Sequence, residues 1–437
     1  MHIRDLQGKR VCILGFGKEG RATLAAIEKY APKAKITIAD KSPDIDVQKM
    51  DAQLGEKWLT DLDRFDVVIK SPGIPPSELR TTHYKLLTNS TQIFLDSVKK
   101  AKSMVIGVTG SKGKSTTASL IYAILKAAGT DVHLVGNIGV PALGYLEKAK
   151  KGTTRDEPDR TIFVMEMSSY QLKDLKTSPD IAVITSFFPE HLDYHGSEEA
   201  YKEAKKHIAC FQKKGDVVFY NQFAPVTQQI AKTSKGKKIK FSWQEAPLRI
   251  EETKLLGHHN LSNIAAAFAV AKFLKIPKPV AQEAIRNFDG LPHRLQMLGN
   301  HGGIEWVDDA ISTTPESAIA ALEALGDRVS TIILGGQDRG NDFSELGRKI
   351  AASKIAHVIL FPGSGPRIRE AIDAAGASVK FWLAASMDEA VTFARTHTPK
   401  ETICLLSTAS PSYNMFKNFE EKGMHFRRSI ENLKTLK

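Results

Sequence analysis

Gly110-Ser111-Lys112-Gly113-Lys114-Ser115-Thr116 follows, after Thr109, on the apolar run Met104-Val105-Ile106-Gly107-Val108. Glycines in such a turn let backbone N–H groups converge on an oxyanion, and a helix opening behind it adds partial positive charge. The Lys114 ammonium would then neutralise the β- and γ-phosphates of a nucleoside triphosphate, and the Ser115 hydroxyl would serve Mg²⁺. The general phosphate loop has a further glycine separated from Gly-Lys-Ser by four residues, and that place holds Val108. The shorter form Thr-Gly-x-x-Gly-Lys-Ser, opened by Thr109 and Gly110, stands here. A bare Gly-Lys-Ser also occurs in surface turns. The strand-like run before it and the helix-like segment Ala118 to Ala128 after it favour the phosphate reading.

Other constellations sit at similar places. Gly15-Phe16-Gly17-Lys18-Glu19-Gly20 follows the first strand-like run and Asp40 closes the next. By mechanism this is a dinucleotide fingerprint, with glycines for a pyrophosphate and an acid for a ribose hydroxyl; a purely structural tight turn also fits. Glu166 ends an apolar run and opens Glu166-Met167-Ser168-Ser169-Tyr170-Gln171, where a carboxylate could hold Mg²⁺ or cap a helix. His191-Leu192-Asp193 follows another such end, and a histidine there fits a hydrogen-bonded loop residue as well as a ligand. By composition, Tyr201 to Lys206 is a solvated charged helix face, and Arg294 is either a phosphate clamp at a hinge or an ion-pair partner. Further polar loops are Asp308-Asp309 with Ser312-Thr313-Thr314, Gly335-Gly336-Gln337-Asp338-Arg339-Gly340 and Ser407-Thr408-Ala409-Ser410.

These loops need scaffolding, and 437 residues suit about three domains. Strand-like and helix-like segments alternate throughout, predicting an α/β fold. The expected domains are 1–100, Rossmann-like; 101–293, P-loop ATPase-like; and 294–437, Rossmann-like again. Expected strands are Arg10 to Gly15, Lys35 to Asp40, Asp66 to Lys70, Thr161 to Glu166, Ile181 to Ser186, Gly303 to Asp308, Thr331 to Leu334, His357 to Phe361 and Thr402 to Leu406. Helices are expected at Gly20 to Tyr30, Ser197 to Phe211, Leu261 to Leu274 and Pro315 to Leu325, with Lys99 to Lys102 a linker.

Hydrophobic content of 42% and charged content of 25% are those of a soluble globular protein. No apolar segment approaches the roughly 18 residues of a membrane span, and no signal peptide is expected. Cys12, Cys210 and Cys404 read as reduced thiols, so the expected class is a cytoplasmic enzyme. A net charge of +12 suits nucleic acid or phosphate- and carboxylate-bearing substrates equally. The clusters at 99–102 and 235–238 lack the interleaved aromatics of a single-strand groove and read as solvated loops.

In this order the pieces resemble the Mur ligases of peptidoglycan synthesis. The resemblance spans all three stretches. It rests on Thr109 to Thr116, Glu166 to Leu172, His191-Leu192-Asp193, Tyr201-x-x-Ala204-Lys205, Gly257-His258-His259-Asn260-x-x-Asn263, Leu291-Pro292-His293-Arg294 and Lys417 to Gly423. It implies an ATP-dependent ligase that adds glutamate to UDP-N-acetylmuramoyl-L-alanine through an acyl phosphate. The first domain would hold the UDP-sugar, with Gly15, Gly17, Lys18, Asp40, Ser71 and Asn137 at matching positions, and Ser168 and Gln171 also toward substrate. Gly110, Ser111, Lys112, Gly113, Lys114, Ser115, Thr116, Asn260, Asn263, Arg294 and Asp309 would surround ATP. Lys114, Glu166, His191 and Lys205 would be catalytic. Two Mg²⁺ ions would be served by Ser115, Glu166, His191 and a carbamylated Lys205. Thr313, Arg339, Ser412 and Phe419 would bring the amino acid. A monomer is implied, with no nucleic acid or membrane partner.

Two departures bear on the amino acid. Ile311 and Arg339 stand where the family carries lysines, and arginine meets a carboxylate with different reach. D-glutamate is the expected acceptor and an L-glutamate-adding variant the alternative. Folylpolyglutamate-type ligases lack a first domain of this form. A nicotinamide-dependent oxidoreductase would leave the Gly110 loop, Glu166 and His191 without a task. A basic nucleic-acid-dependent ATPase would show steep salt dependence.

Overall fold

The computed structural model describes residues 1–47, 50–79, 83–101, 103–149 and 160–432. Strands β1 (Arg10–Leu14), β2 (Lys35–Asp40), β3 (Asp51–Leu54), β4 (Val67–Lys70) and β5 (Leu87–Thr88) form one sheet in the order β3-β2-β1-β4-β5. All its pairings are parallel. Helix α1 (Lys18–Tyr30) follows β1 and α2 (Ser90–Lys100) follows β5. The chain winds away from β1 in both directions, so the crevice lies between the ends of β1 and β4, the usual ligand position in such sheets. Ser71, after β4, donates through its N–H to Leu14 O (2.7 Å) and through Oγ to Gly15 O (2.9 Å) across that switch.

The second sheet reads β11-β10-β9-β6-β8-β7, wholly parallel. Its strands are β6 (Met104–Thr109), β7 (Val132–Gly136), β8 (Ile162–Glu166), β9 (Ile181–Ile184), β10 (Val217–Asn221) and β11 (Lys237–Phe241). Every residue of β6, β8 and β9 is buried, as expected of strands covered on both faces. Helices α3 (Lys114–Ala127), α4 (Ser169–Leu172), α5 (Leu192–His195), α6 (Glu198–Lys206), α7 (Pro225–Lys232), α8 (Asn260–Phe273) and α9 (Lys278–Arg286) complete this layer.

In the third sheet, β12 (Gln296–His301), β13 (Ile304–Asp308), β14 (Val329–Leu334), β15 (His357–Leu360), β16 (Lys380–Leu383) and β17 (Ile403–Leu406) lie in the order β12-β13-β17-β14-β15-β16. Only β12 runs antiparallel. Its helices are α10 (Pro315–Leu325), α11 (Ser344–Ala351), α12 (Gly365–Ala374), α13 (Met387–His397) and α14 (Phe419–Asn432). The order makes β13, β17 and β14 neighbours, so the loops that follow them share one sheet end.

The chain divides into two compact units, Met1–Thr253 with His259–Phe288, and Lys254–His258 with Asp289–Lys437. Cys12, Cys210 and Cys404 are free thiols, the first and last buried. No helix among the described residues is long and apolar enough to cross a membrane.

Three expectations need correction. Lys99 and Lys100 close α2 rather than opening a linker, and Lys99 Nζ donates to Ser178 O (2.7 Å); Lys102 lies outside the described residues. Lys237 and Lys238 belong to β11, an edge strand, where exposed lysines discourage pairing with another chain. The helix expected to reach Phe211 stops at Lys206, because Ser178 Oγ donates to His207 O (2.8 Å) and accepts from Phe211 N (3.0 Å), bending the chain into turns.

Candidate active site

Between β6 and α3 the phosphate-type loop is shaped by close packing. Gly110 has φ 153° and Gly113 φ 83°. A Cβ at the first would stand 2.0 Å from Thr185 Oγ1 and at the second 2.2 Å from Asn263 Oδ1, so only glycine fits either. Ser111 spends its groups on the loop itself: its N–H donates to Ser186 O (3.1 Å), and its Oγ donates to Phe188 O (2.7 Å) while accepting from Phe188 N (2.8 Å). Tyr201 OH lies 3.0 Å from the same Oγ. Lys112 N donates to Ser186 Oγ (2.8 Å), and its ammonium pairs with Glu190 (2.8 Å). Lys114 Nζ donates to Gly110 O (3.0 Å) and Ser111 O (2.7 Å), curling back over the turn. Ser115 follows it and Thr116 is buried, both in the first turn of α3. Asn263, on α8, donates to Asn260 Oδ1 (2.8 Å) and accepts from Thr117 Oγ1 (3.3 Å), bringing both asparagines to the loop.

Beside the loop lies an unusual pair of buried ionisable groups. Lys205, 1% exposed, donates from Nζ to Gly110 O (2.8 Å) and stands 4.6 Å from the Tyr201 ring centroid. Burial, aided by the Lys114 charge, drives its ammonium well below the usual lysine range, although Glu190 and Glu166 oppose this. Glu166, also 1% exposed, accepts from Asn137 Nδ2 through Oε1 (3.0 Å), while its buried Oε2 has no hydrogen-bond partner. His191 has left-handed backbone (φ 58°) and its ring lies 5.0 Å from Tyr170 and 6.2 Å from Tyr201. Burial lowers its pKa, with Lys114 and Lys205 acting in the same direction.

The helix face from Tyr201 to Lys206 is therefore not simply solvated. Tyr201, Ala204 and Lys205 form its buried side, and Lys206 pairs outward with Glu203. The Tyr201–Lys205 spacing of one helical turn was the available signal. Glu190, which acts on both Lys205 and His191, carried none. Among the described residues no cluster of three or more His, Cys, Asp or Glu could by itself hold a metal ion.

At the first sheet, Asp40 Oδ2 accepts from Phe16 N (2.6 Å) and Oδ1 from Ser42 N (2.9 Å), so this carboxylate braces the glycine turn. Gly17 is the N-cap of α1, and a Cβ there would meet nothing within 4 Å. Lys18 opens that helix, exposed. Two expected substrate residues come from segments of the second sheet. Asn137 follows β7 in the second sheet, where its amide serves Glu166. Gln171 forms a capping box with Ser168 and donates to Glu19 Oε1 (2.9 Å), so its amide joins α4 to α1.

The second unit gathers its own polar loops. Asp309 accepts from Leu295 N, Ser312 Oγ and Ser407 Oγ (3.1, 2.5 and 2.8 Å), and burial pushes its pKa up to about 6 despite these bonds. Arg294 is exposed and its charge is felt by Asp309. Ser412 Oγ is buried without a hydrogen-bond partner, Thr313 is half-buried two residues into the Asp309 loop's hydroxyl run, and the Phe419 ring lies 6.2 Å from His293. Arg339 is exposed, donates to Gln337 Oε1 (3.3 Å), and stands over the Tyr413 ring at 5.6 Å. Ile311 is half-buried, its N–H on His293 O (3.1 Å).

Sequence reading did not single out Lys422. Its ammonium is 1% exposed, donates to Thr408 Oγ1 (2.5 Å), and burial lowers its pKa to about 7 against the pull of Asp308 and Asp309. A depressed lysine contributes stability that is complete above the unfolded value of 10.5 and fades as pH falls through the folded value near 7. For Lys422→Met, the parent-minus-variant difference in unfolding free energy is expected to rise with pH across that window, by up to about 1.4 kcal/mol per unit. Denaturant melts across the range measure it; a flat difference contradicts the assignment.

Comparison with known proteins bears on the family and the fold. Residues 108–247 match the Mur ligase middle domain and residues 293–409 the Mur ligase, glutamate ligase domain. A UDP-N-acetylmuramoyl-L-alanine--L-glutamate ligase of Salinispora tropica is 34% identical over 98% of this chain and 99% of its own length. A UDP-N-acetylmuramoylalanine--D-glutamate ligase of Streptococcus agalactiae is 33% identical over 99% of each chain. MurF ligase from Thermotoga maritima, solved in complex with ADP, shares the fold with TM-score 0.58 at 18% identity, over 99% of this chain and 97% of that one. With two family domains in order and relatives aligned end to end, the chain belongs to the Mur ligase family.

Proposed function

We propose that this protein is an ATP-dependent ligase that joins glutamate to UDP-N-acetylmuramoyl-L-alanine in peptidoglycan precursor synthesis. One observation carries the reading: a glycine turn with Lys114 curled over it stands beside a buried carboxylate with an unpartnered oxygen and a buried lysine amine. Such a site suits phosphoryl transfer, which is mostly positioning and charge stabilisation. The alanyl carboxylate oxygen attacks the γ-phosphorus of ATP, the bond to ADP breaks, and an acyl phosphate results. The amine of glutamate then adds to the acyl carbon, loses a proton, and phosphate departs with the former carboxylate oxygen. Lys114 and the N-terminus of α3 offset the negative charge on the phosphates.

The donor set suits Mg²⁺ at oxygen: the unpartnered Glu166 Oε2 and the Ser115 hydroxyl, with His191 nearby. The Lys205 ammonium would repel such an ion. Its neutral amine, favoured by burial, can instead add to CO₂ with loss of a proton, giving a carbamate with the oxygens a hard cation prefers. Mg²⁺ when bound supplies charge neutralisation at the β- and γ-phosphates.

The Gly15–Gly20 turn with Ser71 forms the UDP-sugar site in this reading, and Asn260 and Asn263 the nucleotide side. Arg294 and Asp309 join the nucleotide set, and Thr313, Arg339, Ser412 and Phe419 bind the amino acid. In the same reading 1–100 is the UDP-sugar domain, 101–293 the ATP-binding domain and 294–437 the amino-acid domain. Arg339 offers glutamate a planar cation in place of a lysine, and apolar Ile311 removes a second one. An assay with UDP-N-acetylmuramoyl-L-alanine, ATP and either D- or L-glutamate tests the reading. Glutamyl product with one enantiomer, seen by mass spectrometry, is the expected result, with D-glutamate the first candidate. No product with either contradicts the function; product with L-glutamate alone assigns the chain to the activity named for the Salinispora relative.

A further inference from the structure

Lys70, the last residue of β4, has a side chain only 2% exposed. A lysine is rarely buried unless it is paired and hydrogen-bonded. Its Nζ donates to Ile74 O (3.1 Å) and to Tyr194 OH (3.4 Å), and Asp174 Oδ2, which makes no hydrogen bond, lies 3.1 Å away as its ion-pair partner. Tyr194 OH in turn lies 2.8 Å from Pro72 O and 3.1 Å from Ile74 O, both acceptors for its single proton. Burial and the Asp174 carboxylate push this phenol's pKa up, so it remains a donor.

The consequence falls on the loop after β4. Ser71 O accepts from Ile74 N (3.2 Å), while Pro72 O and Ile74 O face Tyr194 and Lys70. Three carbonyls of a four-residue turn are thus held from within, leaving Ser71 half-buried against Gly15 and Gly73 exposed. Asp174 and Tyr194 follow strands of the second sheet, so one amine fastens a first-sheet loop to second-sheet segments. None of the three residues was singled out as a site residue on sequence grounds.

We propose that Lys70, with Asp174 and Tyr194, is a positioning set that pre-shapes the 71–74 loop for the UDP-sugar substrate. The inference rests on the functional reading above. A loop ordered before binding spares the ligand that ordering cost, so loosening it should weaken substrate binding while leaving the ATP site as it was.

The test uses Lys70→Met and, because that change strands Asp174, the milder Tyr194→Phe, which removes one hydroxyl. Both variants are expected to raise KM for UDP-N-acetylmuramoyl-L-alanine, about tenfold for Lys70→Met and about threefold for Tyr194→Phe. KM for ATP and kcat should stay within about twofold. The double variant should be no worse than Lys70→Met, because the two act on one loop. A merely structural role would lower Tm and the active fraction with KM unchanged, and that pattern in both variants overturns the proposal, as does an equal rise in KM for ATP. Parent enzyme that fails to turn over overturns the functional reading, and this inference with it. Parent turnover with unaltered variant KM overturns this inference alone.

Discussion

Lys114→Ala is expected to slow phosphate release by about a hundred- to a thousandfold, the usual cost of removing one preorganised charge from a phosphoryl-transfer site. The ammonium is held at the loop by Gly110 O and Ser111 O, where a γ-phosphate would replace those carbonyls as its partner. The fold does not depend on it, since the turn is shaped by Ser111, Thr185, Ser186 and Asn263. Circular dichroism and Tm should therefore match the parent. The change also removes a positive charge that helps depress Lys205, so the Lys205 amine should become harder to deprotonate, with loss of activity steepest at low pH. Normal turnover in this variant would refute the nucleotide assignment.

Lys205→Ala should lose activity by about a hundredfold or more, through a different route. The parent side chain fills buried space beside the Tyr201 ring and ends at Gly110 O. Alanine leaves a cavity there, and a short carboxylate such as acetate can enter it with oxygens where the carbamate would have presented its own. Partial recovery with added acetate or propionate is expected for Lys205→Ala. None is expected for Lys205→Met, whose side chain fills the cavity. Loss of the donor to Gly110 O should cost about 1 kcal/mol of stability in both. If Lys205→Ala turned over like the parent, the carbamate proposal would fall. Equal rescue of both variants would show that the added carboxylate acts elsewhere.

Local patterns reveal much of this architecture. The buried runs Met104–Thr109, Ile162–Glu166 and Ile181–Ile184 are apolar enough to read as central parallel strands, and the loops after them therefore read as ligand loops. Mixed strands such as Val132–Gly136 and the lysine-rich Lys237–Phe241 lack that signature because they lie at sheet edges. What stayed hidden depends on partners distant in the chain. Nothing near Gln171 in the sequence points to Glu19, 152 positions away, to whose carboxylate its amide donates. Lys205 reads as a surface lysine until the fold sets it under the Gly110 carbonyl. Lys70 closes an apolar strand and Lys422 lies in the family-like run Lys417 to Gly423, yet only the fold reveals that these side chains are enclosed. Burial of a charged side chain is a tertiary property, and composition does not encode it.

The account stands on carboxyl activation at the Gly110–Thr116 loop, and heavy oxygen placed in the alanyl carboxylate of the UDP substrate follows that step. One labelled oxygen is expected in each phosphate released during ligation, carried across when the acyl phosphate breaks. Phosphate free of label, with both heavy oxygens kept by unligated substrate while ATP is consumed, would contradict it.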